Sequence, residues 1–257
     1  MRMQRPLEAE RLAADVLKSD RGNALAAQIL GRALLMQNRA EEAIVPLERA
    51  ARRSDDPTVE TLLAAALAGV GRSDEALDQL RRTTARRPPF PPAFLEQAVQ
   101  LGKLGRVEEA IAVLESGLAL TPGALDLRME LGFLHLRRND RARARILFLE
   151  VQAAAPERQD VLAALAKVMA MDGEYAAAAD IYRRVLGLRP DDAVTRNSLA
   201  VCQLELGERE TAEANLRAAT RDAPQMVGLA IASLASASHG RFFLRPSAVA
   251  KFLGIRK

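Results

Sequence analysis

Apolar and polar positions along this chain recur in fixed columns, and the columns describe helices. No run alternates β-branched and polar residues over five or more positions, as a half-buried strand would. Ala43, Ala76, Ala110, Ala144, Ala178 and Ala212 form one column, at spacings of 33, 34, 34, 34 and 34 residues. Four residues beyond each stands a large apolar residue: Leu47, Leu80, Leu114, Phe148, Tyr182 and Leu216. Twelve residues before each alanine comes Gly31, Ala64, Ala98, Gly132, Ala166 or Ala200. A position that is always glycine or alanine marks a close approach between helices. Leu30, Leu63, Leu131, Leu165 and Leu199 directly precede it and are expected to fill the core between two paired helices.

The breaks between helices are equally regular. Five residues before the alanine are Gly71, Gly105, Gly173 and Gly207, with Asn38 and Asn139 in the other two copies. Glycine and asparagine best tolerate a left-handed backbone, so these positions predict turns. Pro88, Pro122, Pro156, Pro190 and Pro224 close the last five copies, each stopping one helix and setting up the next.

A period of this length belongs to stacked helical repeats. These columns resemble the tetratricopeptide repeat family. The resemblance implies an all-α fold, a right-handed superhelix of stacked antiparallel helix pairs, with a concave groove lined by the first helix of each repeat. On that reading residues 1–257 form a single solenoid: a half repeat over 1–23 with Ala9 in the alanine column, six repeats over 24–224, and a capping segment over 225–257. Two departures stand out. The large aromatic common early in the family's first helices is represented only by Phe94, and Pro46 falls inside a second helix, where it should remove a hydrogen bond and bend the chain.

Composition narrows the chemistry. Alanine, leucine, arginine and glutamate dominate, only 4% of residues are aromatic, and the formal net charge is +4. That charge gives no argument for nucleic acid. There is no signal-peptide core and no run of membrane-spanning length, so a cytoplasmic location without membrane partners is expected. The stretch LGKLGRVEEA, residues 101 to 110, has the glycines and lysine of a phosphate loop, but Leu104 stands where that loop needs Ser or Thr. Gly105 reads instead as the turn, and Glu108 and Glu109 as acids at the positive end of a second helix. Cys202, the single cysteine, reads as a buried, inert thiol. His135 lies in an inward column with Leu34, Leu67, Leu101, Met169 and Gln203 and reads as packing. Adjacent carboxylates such as Asp74 and Glu75 point about 100° apart on a helix and cannot flank one bond. No metal-ligand spacing or nucleophile motif occurs, so no enzyme activity, cofactor, metal or small-molecule substrate is expected.

The function expected is that of a protein–protein scaffold or adaptor. The resemblance makes the groove the binding surface, with Gln28, Arg32, Met36, Leu95, Val99, Lys103, Met129, Phe133, Leu136, Arg137, Lys167, Met171, Asn197 and Val201 as its lining. An apolar strip with scattered cations suits an amphipathic or partly acidic peptide or helix of a protein partner. A regulatory or accessory subunit of an enzyme complex is the alternative, and an RNA-binding helical repeat is a further one that the apolar columns argue against. The family's carboxylate-clamp lysine column reads Gln28, Thr61, Leu95, Met129, Ala163 and Asn197, so that use is unsupported. The run RRNDRARAR, residues 137 to 145, reads as a solvated edge. The tail is expected to fold back on the end of the array through Phe242, Phe243, Leu244, Val249, Phe252 and Leu253, leaving Arg241, Arg245 and Lys251 outward.

Overall fold

The computed structural model describes residues 6–241 and 246–254, and among these every regular element is a helix. In chain order they are α1 (Pro6–Ser19), α2 (Ala24–Met36), α3 (Ala40–Ala51), α4 (Pro57–Gly69), α5 (Ser73–Thr84), α6 (Pro91–Lys103), α7 (Val107–Leu120) and α8 (Leu125–Arg137). There follow α9 (Arg141–Ala154), α10 (Gln159–Met171), α11 (Tyr175–Leu188), α12 (Ala193–Glu205), α13 (Arg209–Asp222), α14 (Val227–Ser236) after a short 3-10 turn, and α15 (Pro246–Leu253). They form two compact blocks, Met1–Leu134 and His135–Lys257, which divide within α8.

From α1 to α7 in the N-terminal block, and from α9 to α14 in the C-terminal block, each helix packs on the next in sequence, and first helices also touch one another. In the N-terminal block α2 meets α4 and α4 meets α6; in the C-terminal block α10 meets α12 and α12 meets α14. Within each block these first helices therefore lie side by side as a layer, the arrangement that can present a surface.

The turns follow the local steric rule. Gly71, Gly105, Gly173 and Gly207 have φ between 76° and 83°, and Asn38 and Asn139 have φ of 59°. Each turn is closed by a backbone bond from the next residue to a carbonyl five positions back. Arg72 N–H donates to Leu67 O at 2.9 Å, Arg106 to Leu101 at 2.9 Å, and Glu208 to Gln203 at 2.8 Å. This is the Schellman closure, which satisfies carbonyls that the helix end would otherwise orphan. The column containing His135 supplies these acceptors, since Asp140 N–H donates to His135 O at 2.8 Å.

Three first helices, α2, α4 and α12, start with side-chain caps. Asn23 Oδ1 accepts from Ala26 N–H at 2.9 Å, Asp56 from Thr58 at 2.8 Å, and Asp192 from Thr195 at 3.0 Å. The second helices α3, α5 and α7 start differently. Arg39, Arg72 and Arg106 occupy the cap position without capping, and each reaches the glutamate three residues on: Glu42, Glu75 and Glu109.

The core is the columns. All six alanines from Ala43 to Ala212 are fully buried, as are Leu47, Leu80, Leu114, Phe148 and Leu216. A Cβ on Gly31 would sit 2.6 Å from Leu47 Cδ2, so the glycine is what lets α2 and α3 approach this closely. Helix α3 runs unbroken through Pro46. The Cys202 thiol is buried against Ala178, Ala179 and Tyr182, and burial pushes its pKa up to about 11.

α15 packs on α13, with Leu253 buried at 3% exposure and Phe252 against the cluster of Ala212, Leu216 and Leu234. Lys251 is exposed, while Arg241 turns back to Glu213. Phe242, Phe243, Leu244 and Arg245, and the side chain of Val249, lie outside the described residues.

Candidate partner-binding surfaces

In the N-terminal block, α2, α4 and α6 present Gln28, Leu35, Thr61, Ala65, Ala68, Leu95 and Val99 as half-buried residues and Arg32, Met36 and Lys103 as exposed ones. The Thr61 hydroxyl donates to Pro57 O at 2.7 Å, so this threonine offers mainly its methyl. The floor is apolar and the cations stand at its ends. Leu25 and Ile29 are exposed too, at 65% and 39%. They share a stripe of α2 with Arg32 and Met36, at spacings of four, three and four residues. The groove columns that the resemblance implies do not include these two. Their i, i+4 spacing was the available signal.

Helix α8 departs from expectation. Met129 and Leu136 were expected on a free surface, but they are buried at 4% and 8% exposure. They are seven residues apart, two helical turns, and so form one buried stripe of α8. Phe133, between them, is half-buried, and Arg137 is exposed.

In the C-terminal block, Lys167 and Met171 of α10 are exposed and Val201 of α12 is half-buried. Asn197 does not join them. It is 4% exposed, and its Nδ2 donates to Ser233 Oγ at 3.1 Å. The reason is α14, which packs on α12 and takes Asn197 into a helix–helix contact.

Electrostatics separates two populations of cations. Those at the turns are engaged: Arg72 makes two bonds of 2.7 Å to Glu75, and Arg106 two of 2.6 Å to Glu109. Hydrogen bonds from these arginines hold the carboxyls of Glu75 and Glu109 below the usual carboxylate range. The arginine-rich run at 137–145 is engaged as well. Arg141 reaches Asp172 at 3.0 Å, Arg145 reaches Glu174 at 2.6 Å, and Arg143 reaches Asp140 at 3.4 Å. Two of these pairs tie α9 to the turn of the following repeat, so the run is a set of staples and not merely a solvated edge. Arg32, Lys103 and Lys167, by contrast, have no ion-pair partner among the described residues.

His135 is buried with Nδ1 3.6 Å from Asp140 Oδ2. Among the described residues there is no group of three or more His, Cys, Asp or Glu that could hold a metal ion, and no helix long and apolar enough to cross a membrane.

Curated protein sequences gave no match. Among solved structures the chain resembles a chain of the APC/C hetero-tetramer Cut9–Hcn1, at 19% identity and TM-score 0.69, over 85% of this chain and 43% of that one. It also resembles human IFIT1, a dimer with PPP-AAAA, at 16% identity and TM-score 0.71, over 90% of this chain and 59% of that one. A third likeness is to PilF of Pseudomonas aeruginosa, at 20% identity and TM-score 0.65, over 78% of this chain and 92% of that one. The chain thus spans less than two thirds of the Cut9–Hcn1 and IFIT1 chains, and at these identities the likeness is one of fold. Two family models described as tetratricopeptide repeat match in sequence, one over residues 1–57 and 61–124, the other over 103–168 and 169–235. Together with the helix pairs, the left-handed turns and the buried alanine column, these matches establish that the chain belongs to the tetratricopeptide repeat family.

Proposed function

We propose that this chain is a protein-interaction scaffold without catalytic chemistry of its own, and that its first-helix surfaces hold an amphipathic, partly acidic segment of a partner protein. The supporting observation is the division of the cations. Turn-edge arginines are consumed by carboxylates, whereas Arg32 and Lys103 border an apolar floor in the N-terminal block without such a partner among the described residues. A peptide helix or extended segment would bury its apolar side chains on Ala65, Leu95 and Val99 and place carboxylates near the two cations. Apolar burial would supply most of the affinity, and the charges would set the sign of the partner and its rate of encounter. The regulatory or accessory-subunit reading uses the same surface and differs only in the partner. Nucleic acid would need a row of cations along the backbone, and this surface offers two separated ones.

The test uses peptides selected from a random library against the intact chain. Selected sequences should be enriched in acidic and apolar residues. Arg32→Glu with Lys103→Glu should weaken them at least tenfold in low salt and much less in high salt. Val99→Asp should weaken them at any salt concentration, with unchanged helicity and melting. Peptides indifferent to all three changes would remove this surface from consideration. Selective capture of single-stranded RNA through the same residues would favour the nucleic-acid reading instead.

A further inference from the structure

The end of the C-terminal block carries a second surface, built on α13. Glu213, with its side chain only 12% exposed, is shared by three guanidiniums: Arg209 at 3.1 Å, Arg241 at 3.5 Å and Arg217 at 3.8 Å. One carboxylate cannot neutralise three cations, so the site keeps a positive excess. α15 is seated on it. The Phe252 ring lies 5.3 Å from the Arg217 guanidinium and 5.2 Å from that of Arg241, a double cation–π contact, and Leu253 is buried beside it.

Yet α15 fits this site poorly in two respects. Its sequence, PSAVAKFL, has no acidic residue and adds a cation of its own, Lys251, to a site already positive. It is also too small. A cleft of about 490 Å³ remains between α13, the start of α14 and the end of α15, lined by Arg217, Thr220, Arg221, Pro224, Val227 and Leu253, with Arg221 paired to Asp222 at 3.4 Å. Shape and charge both leave room for a better occupant.

We propose that this end of the array is a docking site for an acidic amphipathic helix bearing an aromatic–aliphatic pair, and that α15 is a weakly matched internal occupant which such a helix displaces. The aromatic residue takes the place of Phe252 between the guanidiniums. Its carboxylates meet the positive excess, and a larger aliphatic residue fills the cleft. Because α15 is tethered, it competes at high effective concentration and lowers the apparent affinity of any incoming helix by the fraction of time it is docked.

The probe is a labelled eighteen-residue helical peptide containing the Phe–Leu pair of α15, with glutamate at the positions of Ala248 and Lys251, both exposed in α15, and at three positions added beyond its ends. A matched peptide has lysine at those positions. Fluorescence anisotropy with the full chain should show the acidic peptide binding at least tenfold more tightly than the lysine one. Phe252→Ala in the chain should tighten it several-fold further by vacating the site, and Arg217→Glu should abolish it. Hydrogen exchange at residues 246–253 should accelerate when the peptide binds. If Phe252→Ala disturbs folding, Arg241→Ala gives the second measure, since it removes one face of the aromatic clasp and should weaken the peptide. Arg32→Glu with Lys103→Glu should change nothing, which separates this site from the first-helix surface. Equal binding of both peptides, or insensitivity to Arg217→Glu, would overturn the proposal.

Discussion

Gly31→Ala is the sharpest test of how closely the helices pack, because local and tertiary effects predict opposite signs. In an exposed helix the change should stabilise by about 1 kcal/mol, the difference in helix propensity between alanine and glycine. Here a Cβ would meet Cδ2, Cγ and Cδ1 of Leu47 at 2.6, 2.7 and 2.8 Å, all closer than carbon atoms can sit. Leu47 is fully buried, and the contact involves its branch point as well as its tips, so clearing it takes a χ1 change inside a packed core. Overpacking of this kind costs about 1–3 kcal/mol, which leaves a net loss of roughly 0–2 kcal/mol. The assay is hydrogen exchange of the α2 and α3 amides, which reports stability repeat by repeat where an array need not unfold in one step. The same substitution in a Leu47→Ala background removes the clash and should become stabilising by about 1 kcal/mol, the propensity term alone. Stabilisation by Gly31→Ala in both backgrounds would refute the close approach.

Other outcomes follow from single features. Gly105→Ala should destabilise by about 1 kcal/mol or more through the backbone alone, since φ is 76° and nothing lies within 4 Å to clash, whereas Asn139→Gly should be neutral or stabilising; chemical denaturation checks both. Hydrogen bonds from Arg72 hold Glu75 below its ordinary 4.5, so their contribution is present above that value and lost as pH falls through the lowered folded value; Glu75→Gln should flatten this part of an acid-denaturation curve. Cys202, buried with its pKa pushed up to about 11, should resist maleimide in the native state and react on unfolding; rapid native labelling would contradict its packing.

The turns and the core were legible because their causes are local. A left-handed φ excludes most side chains wherever it occurs, so Gly71 and Asn139 announce themselves without knowledge of their neighbours. The alanine column is legible for a related reason: one interhelical distance is imposed at every repeat. The site was less legible because exposure depends on what lies a repeat or more away. Asn197 sits in a groove column, but its burial is decided by Ser233, 36 positions on. Arg141 and Arg145 look solvated until the next turn brings Asp172 and Glu174 beside them. The clasp on Phe252 joins α13, the segment after α14 and α15, and no spacing in the chain relates the three.

One part of the electrostatics could be read from spacing, and it yields the last prediction. On a helix, charges pair with residues three or four positions away. Arg72 and Arg106 have glutamate at the third position and are paired. Lys167 has Ala163, Ala164, Ala170 and Met171 at those positions, so its own helix offers it no carboxylate. Arg145 is a contrasting case, held by Glu174 from the following repeat. Reversing each charge should therefore have opposite consequences. Arg145→Glu faces Glu174 and Asp172, breaks a tie between α9 and the next turn, and should lower stability by about 1 kcal/mol or less, with the loss shrinking in high salt. Binding of acidic peptides to the N-terminal surface should survive it. Lys167→Glu breaks no pair and should leave the melting curve unchanged while slowing capture of an acidic segment by the first helices of its own block. If Lys167→Glu destabilised the fold as much as Arg145→Glu, the separation of structural from partner-facing cations would fail, and with it the electrostatic support for an acidic partner.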